Sequence, residues 1–326
     1  MRVTGAQPRR AGGLLTALPP SALVFAGILS VQIGAGLAGR LFSQVPPAAV
    51  TGLRLWSAAV LMAAFGARGL GRTVRGIVRD RAWRDATVAV LFGVTLGIMN
   101  FSIYQSFARI PLGIAVTIEF LGPLAVAVAS SRRPIDLLWV GLAGAGVLLL
   151  ARGGTPIAPG AHAAVHGGGR TALVGVLFAL IAATGWAAYI LLSRSTGRRF
   201  SGSSGLTIAM VVAALVVAPA GLAAGGKALL RPAVLGTGVA IGLLSSIVPY
   251  GFELEALRRI PARVFGIWMS LEPAVAALVG LVFLSEALTV RQWAASGCVM
   301  IACAGAARSG QAPDARDEEG PPPPAA

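Results

Sequence analysis

Ten runs of mostly apolar residues follow one another along this chain, separated by short polar gaps. They lie near 22–42, 48–66, 86–107, 112–131, 137–151, 172–193, 206–225, 234–257, 264–284 and 292–307. A bilayer's hydrocarbon core is about 30 Å thick, so a helix rising about 1.5 Å per residue needs about 20 apolar residues to cross it. The fifth and tenth runs are the shortest. A soluble globule cannot hide ten such runs. With 12% charged and 56% hydrophobic residues it would expose large apolar patches and aggregate. The expectation is an all-α membrane protein of ten transmembrane helices.

The charge fits that class. Lys and Arg number 27 against 12 acids, yet the Arg residues fall mostly in the gaps. Nucleic-acid binding is excluded because no contiguous basic and aromatic surface carries it. With the N-terminus inside, the inner segments hold Arg2, Arg9, Arg10, the six Arg of 68–84, Arg132, Arg133, Arg194, Arg198, Arg199, Arg258, Arg259, Arg263, Arg308 and Arg316, 19 in all. The outer segments hold only 7 basic residues: Arg40, Arg109, Arg152, Arg170, Lys227, Arg231 and Arg291. Basic loops stay in the cytoplasm, so both termini are expected inside a bacterial inner membrane. Arg2, Arg9 and Arg10 ahead of 22–42 resemble a signal sequence, but that run is of spanning length and reads as a retained helix after a 1–20 segment.

Little points to a cofactor or metal. Cys298 and Cys303 sit inside one apolar run, without disulfide or metal-ligand spacing. His162 and His166 are four apart, but Gly167, Gly168 and Gly169 argue against a helix there. The 152–170 segment reads as a flexible outer loop, and the acidic, Pro-rich 308–326 tail as disordered.

The two halves match at a constant shift of 150 residues. Ala22-Leu23-Val24 corresponds to Ala172-Leu173-Val174, and Arg109-Ile110-Pro111 to Arg259-Ile260-Pro261. Leu121 and Pro123 correspond to Leu271 and Pro273, and Asp136 to Glu286. Each half (21–151 and 171–307) holds five runs, an odd number. The second half therefore enters the membrane from the opposite side, the inverted-repeat plan of many secondary transporters.

A charged group at bilayer depth costs about 2.5–3.5 kcal/mol even on the lenient insertion scale, so those present are expected to face a wet cavity. Glu119 lies in the fourth run, four residues before Pro123 and beside Gly122; Glu272 directly precedes Pro273 in the ninth. Proline removes a backbone donor and weakens the helix, making Gly122, Pro123 and Pro273 candidate hinges. Ser246, Tyr250 and Glu253 form one stripe at i, i+4, i+7, while Glu255 points elsewhere. Asn100 and Tyr104 are four apart in the third run, and Arg54 is the one cation well inside a run. Plainer readings stand beside these. Glu119 and Glu272 also suit interhelical pairs, Glu253 a snorkelling end residue and Arg54 a structural counter-ion. Asn100, Tyr104 and Tyr250 also suit helix packing. Trp186 and Tyr189 fit a core at least as well as a site, and Met99 and Met269 read as packing.

At these residues the chain resembles a known family. Gly113 to Val116, Glu119-Phe120, Gly122 to Ala127 and Ser130-Ser131-Arg132-Arg133-Pro134 look like the EamA-type drug/metabolite transporters, in their threonine/homoserine exporter branch. Met269 to Ala274 with Glu286, Pro249-Tyr250 with Glu253, and Thr51 to Leu55 resemble it too. The likeness runs from about 21 to 307; the 152–170 loop and the acidic tail depart from it. The resemblance implies ten helices in two inverted five-helix halves around a central cavity. It also implies export of threonine, homoserine or related amino acids, coupled to protons. A zwitterion then needs Glu119 or Glu272 for its ammonium. Its carboxylate needs Arg54, or backbone N–H groups freed near Pro123 and Pro273. Glu272 or Glu253 is the expected proton carrier. Efflux of purines, aromatic compounds or drugs is the alternative, a non-transporting scaffold a remote one. A homodimer is left open, and an enzyme is not expected, because no run carries a nucleophile–base pair.

Overall fold

The computed structural model describes residues 18–131, 133–151, 168–200 and 204–309. Most of the N-terminal segment, Arg132, the loop containing His162 and His166, and the tail beyond 309 lie outside the described residues. Those described form helices and short connections, with no strand among them.

The helices in chain order are α1 (Pro20–Leu41), α2 (Pro47–Arg79), α3 (Trp83–Phe107), α4 (Leu112–Glu119), α5 (Leu121–Ala129), α6 (Asp136–Ala151) and α7 (Gly168–Arg199). They continue with α8 (Ser204–Gly225), α9 (Pro232–Gly242), α10 (Val248–Leu257), α11 (Ala262–Met269), α12 (Glu272–Leu284) and α13 (Val290–Ser309). A π turn, Leu243–Ile247, joins α9 to α10. Eight segments are long and apolar enough to cross a membrane: Pro20–Leu41, Pro47–Gly66, Trp83–Phe107, Leu112–Ala129, Arg170–Arg199, Ser204–Leu230, Pro232–Leu257 and Ala262–Leu284. Asp136–Leu150 is apolar but shorter.

Prolines set many of the starts. Pro20, Pro47 and Pro232 stand in the first turns of α1, α2 and α9, where a missing N–H costs nothing. Two helix ends differ from the sequence reading. The second helix runs on to Arg79 rather than stopping near Gly66, because Arg is a good helix former and the arginines fall on one side of its extension. Helix α7 begins at Gly168, inside the stretch read as loop.

Two spans break in the middle, and proline explains both. Pro123 has no N–H for the carbonyl of Glu119, four residues back, and α4 ends there. The chain turns at Phe120, whose carbonyl accepts the Leu124 N–H at 3.2 Å. Pro273 likewise denies a donor to Met269, the last residue of α11. The chain turns at Ser270 and Leu271, and the Ala274 N–H bonds the Leu271 carbonyl at 3.0 Å.

Small residues allow close crossings, as expected where lipid removes the hydrophobic drive between helices. Gly122 on α5 shows this against backbone: a Cβ there would lie 2.1 Å from the Ala183 carbonyl oxygen of α7. Neighbours follow a regular scheme. Helix α3 packs on α7 and α8, the α9–α10 pair on α1 and α2, α4 on α12, and α6 on α13. One apolar cluster, including Leu41, Val45, Ile103, Ile110, Ile114 and Ile118, closes the end where α1 finishes and α4 begins.

Candidate functional site

The broken spans and the π turn meet at one cavity of about 170 Å³. Arg54 of α2, Asn100 and Tyr104 of α3, Glu119 of α4, Trp186 of α7, Tyr250 and Glu253 of α10 and Glu272 of α12 all line it. These eight residues come from helices far apart in sequence; of the polar stripe named above, Ser246 is missing from the lining. Gly122, Pro123 and Pro273 do not line it; they shape the helix breaks that carry Glu119 and Glu272 to its wall.

Sequence reasoning missed Gln32 on α1 and Ser245 in the π turn, and it set aside Met99 and Met269; all four line the cavity. Tyr189, given there chiefly a core role, lines it too. Ser245 replaces the expected Ser246 for a geometric reason. A π turn takes in one extra residue, so positions before it slip by one relative to the face that Tyr250 and Glu253 present. Ser246 is instead buried, away from the cavity lining. Gln32 had a legible signal, being the only amide side chain in the α1 run.

Two sets of polar atoms in the lining are under-satisfied. The Gln32 amide donates from Nε2 to Glu272 Oε1 at 2.9 Å. Gln32 Oε1 and Glu272 Oε2 are both buried without a hydrogen-bond partner. Both are oxygens that can accept. Arg54 donates from Nη2 to the Ser245 carbonyl at 3.0 Å and lies 5.3 Å from the Tyr104 ring centre. Arg54 Nε, Tyr104 Oη and Ser245 Oγ are buried without partners. Every one of these can donate.

The π turn supplies the Arg54 anchor. Inside it the Val248 N–H reaches back five residues to the Leu243 carbonyl, which leaves the next carbonyls open to side chains. Ser30 Oγ donates to Leu244 at 2.7 Å, and Arg54 takes Ser245. None of the ion pairs among the described residues joins Arg54 to a carboxylate.

The remaining candidates are partly committed. Asn100 Nδ2 donates to the Leu96 carbonyl at 2.8 Å, one turn back. Trp186 stands edge-on to Phe120 at 4.8 Å between ring centres, which props the aromatic wall beside the first break. Glu255 stays outside the cavity and pairs with Arg258 and Arg259 one turn on. No cluster of three His, Cys, Asp or Glu side chains among the described residues is arranged to hold a metal ion.

Comparison with known proteins agrees with this architecture. The profile of the EamA-like transporter family matches residues 173–308. The threonine/homoserine exporter RhtA of Escherichia coli (strain K12) is 38% identical over 287 residues, covering 88% of this chain and 90% of the relative. RhtA of Salmonella typhimurium (strain LT2) is 38% identical over 271 residues, covering 83% and 85%. A crystal structure superposes with a TM-score of 0.52 at 20% identity, covering 87% of this chain and 95% of the other, which is a likeness of fold. A helical membrane protein this similar to RhtA along nearly its whole length belongs to the EamA-type drug/metabolite transporters, on the branch that contains RhtA.

Proposed function

We propose that this chain exports small amino acids of the threonine/homoserine type across the bacterial inner membrane. The observation that carries the proposal is a cavity lining that holds both unpaired acceptors and unpaired donors. Gln32 and Glu272 leave two oxygens unpaired, and Arg54, Tyr104 and Ser245 leave three donors unpaired. A zwitterion satisfies both, with its ammonium on the acceptors and its carboxylate on the donors. Size agrees. The cavity, about 170 Å³, falls below the range of about 300–1,000 Å³ usual for drug-sized ligands. That weighs against drug-sized substrates. The RhtA relatives, named as threonine/homoserine exporters, support the substrate class.

The proposed architecture has ten spans, counting α6 as the fifth and α13 as the tenth, in two inverted halves at 21–151 and 171–307. The 1–20 segment and the 308–326 tail lie in the cytoplasm, and the 152–170 segment lies outside. Two observations support it. First, the neighbour scheme survives exchange of the halves. The third span packs on the sixth and seventh as the eighth packs on the first and second, while the second and seventh, fourth and ninth, and fifth and tenth are mutual partners. Second, the two mates α4 and α11 differ in burial: every residue of Leu112–Glu119 is buried and none of Ala262–Met269 is. Such a difference between equivalent elements is what alternating access inverts.

Protons drive the cycle in this reading. Glu272, or Glu253 beside it, takes either a proton or the substrate ammonium, so proton entry releases substrate outward. One inward charge gains about 2.3 kcal/mol per 100 mV of membrane potential. The test is proteoliposome transport. Wild-type protein should show threonine counterflow and pH-gradient-driven uptake. Glu272→Gln should reach the membrane but lose the gradient-driven flux. Unaltered drive in that variant would remove Glu272 as coupling residue. Absence of amino-acid counterflow in the wild type would remove the function.

A further inference from the structure

We propose that Gln32 forms, together with Glu272, the seat for the substrate ammonium, and that it sets the preference for amino acids over analogues lacking the amino group. This rests on the exporter reading above and carries it from the substrate class to the choice between an amino group and a hydroxyl.

Gln32 is 2% exposed near the middle of α1, in a mostly apolar stretch of the helix. A buried amide with an unmet acceptor is costly, about 1–3 kcal/mol for such a group, so a bound donor is its natural complement. The hydrogen bond from Nε2 to Glu272 Oε1 fixes the amide plane, and the same bond leaves Gln32 Oε1 and Glu272 Oε2 as the two free oxygens. An ammonium carries three donors and can meet both at once. A hydroxyl in its place carries one donor and leaves an acceptor unpaired.

Charge also favours an amide at this position. Glu119 and Glu253 line the same cavity as Glu272. A further carboxylate would add repulsion, whereas the Gln32 carbonyl adds an acceptor without charge. The alternative, that Gln32 merely fills space between α1 and α12, predicts no effect on the choice between ammonium and hydroxyl.

The experiment is competition in proteoliposome counterflow of labelled threonine, using unlabelled threonine and 2,3-dihydroxybutanoate, its analogue with a hydroxyl in place of the amino group. The wild type should prefer threonine by at least about 100-fold, reflecting the unmet acceptor and the unpaired charge. In Gln32→Met, which keeps the length and loses both amide atoms, that preference should fall about tenfold through weaker competition by threonine, with the analogue unchanged. Gln32→Asn, which withdraws the amide from Glu272, should move it in the same direction. Each preference is a ratio within one preparation, so it does not depend on how much protein inserts. Threonine counterflow with an unchanged preference in either variant would overturn the assignment of Gln32 alone. Equal competition by the two compounds in the wild type would overturn it whatever the variants do. A wild type that carries no threonine would overturn the exporter reading and this assignment together.

Discussion

The Arg54 guanidinium and the backbone carbonyl of Ser245 meet at 3.0 Å, joining α2 to the π turn between α9 and α10. The contact uses Nη2 and leaves Nε without a partner. One edge of the guanidinium is thus anchored to the backbone, and another nitrogen is left able to donate. Tyr104 completes the support, with its ring 5.3 Å from the guanidinium carbon.

Arg54→Lys should therefore not behave as a conservative change. A single ammonium cannot bond the Ser245 carbonyl, stack on Tyr104 and present a further in-plane donor. Loss of one charge-assisted hydrogen bond to substrate corresponds to about 1.5–3 kcal/mol, or roughly 10- to 150-fold. The half-saturating threonine concentration in counterflow should rise by at least about tenfold, at wild-type levels in the membrane. A half-saturation unchanged by the substitution would mean that Arg54 is structural.

The same turn makes Gly34 necessary. A Cβ on Gly34 would lie 2.1 Å from Ser245 Oγ and 3.3 Å from both Ser245 Cβ and the Ser245 nitrogen. Overpacking of this kind costs about 1–3 kcal/mol. Gly34→Ala should lower the apparent Tm in detergent, and the loss should be smaller when Ser245→Ala removes the nearest atom. Strictly additive losses in the double variant would show that the two positions do not press on each other.

Burial of the mated half-helices gives a conformational prediction. Ile114 is 1% exposed on α4, while its mate Val264, on α11, is only half-buried. Single cysteines at these positions, in a background with Cys298→Ser and Cys303→Ser, should label unequally with a water-soluble maleimide. Val264→Cys should react and Ile114→Cys should resist. An imposed pH gradient with threonine should raise labelling at 114 and lower it at 264. Labelling at both positions that never changes under transport conditions would exclude their exchange of roles.

Much of the site is legible in the sequence because bilayer depth makes polarity informative. Glu119, Glu253, Glu272 and Arg54 each carry a cost that only a wet wall relieves, and all four stand on one wall system. Pro123 and Pro273 mark the helix breaks through a simple loss of a donor. What stays hidden is register. The spacing of Ser246, Tyr250 and Glu253 assumes a continuous α-helix, and the π turn between Leu243 and Ile247 substitutes Ser245. Gln32 is legible only in part: it is the one amide in its run, but its partner on a helix 240 residues away cannot be read from spacing.

Glu286 offers a titration outside the spans. Ser285 closes α12 with left-handed backbone, φ 59°, and the Glu286 N–H then reaches the Gly280 carbonyl at 3.1 Å. This turn carries the side chain to the start of α4, where the Leu112 N–H donates to Glu286 Oε2 at 2.7 Å. Burial pushes the carboxyl up from 4.5 to about 7, against the opposing pull of the Leu112 N–H. The folded chain thus holds a proton between those two pH values that the unfolded chain has released. The stability contributed by this group is complete below about pH 4.5 and is lost as pH rises to about 7. Its full size is about 3 kcal/mol. Glu286→Gln keeps an acceptor for Leu112 and has nothing to titrate. The apparent Tm of the wild type should accordingly fall relative to Glu286→Gln between pH 5 and about pH 8, by several degrees. Parallel curves for the two proteins across that range would mean that Glu286 is already ionised in the fold at pH 5.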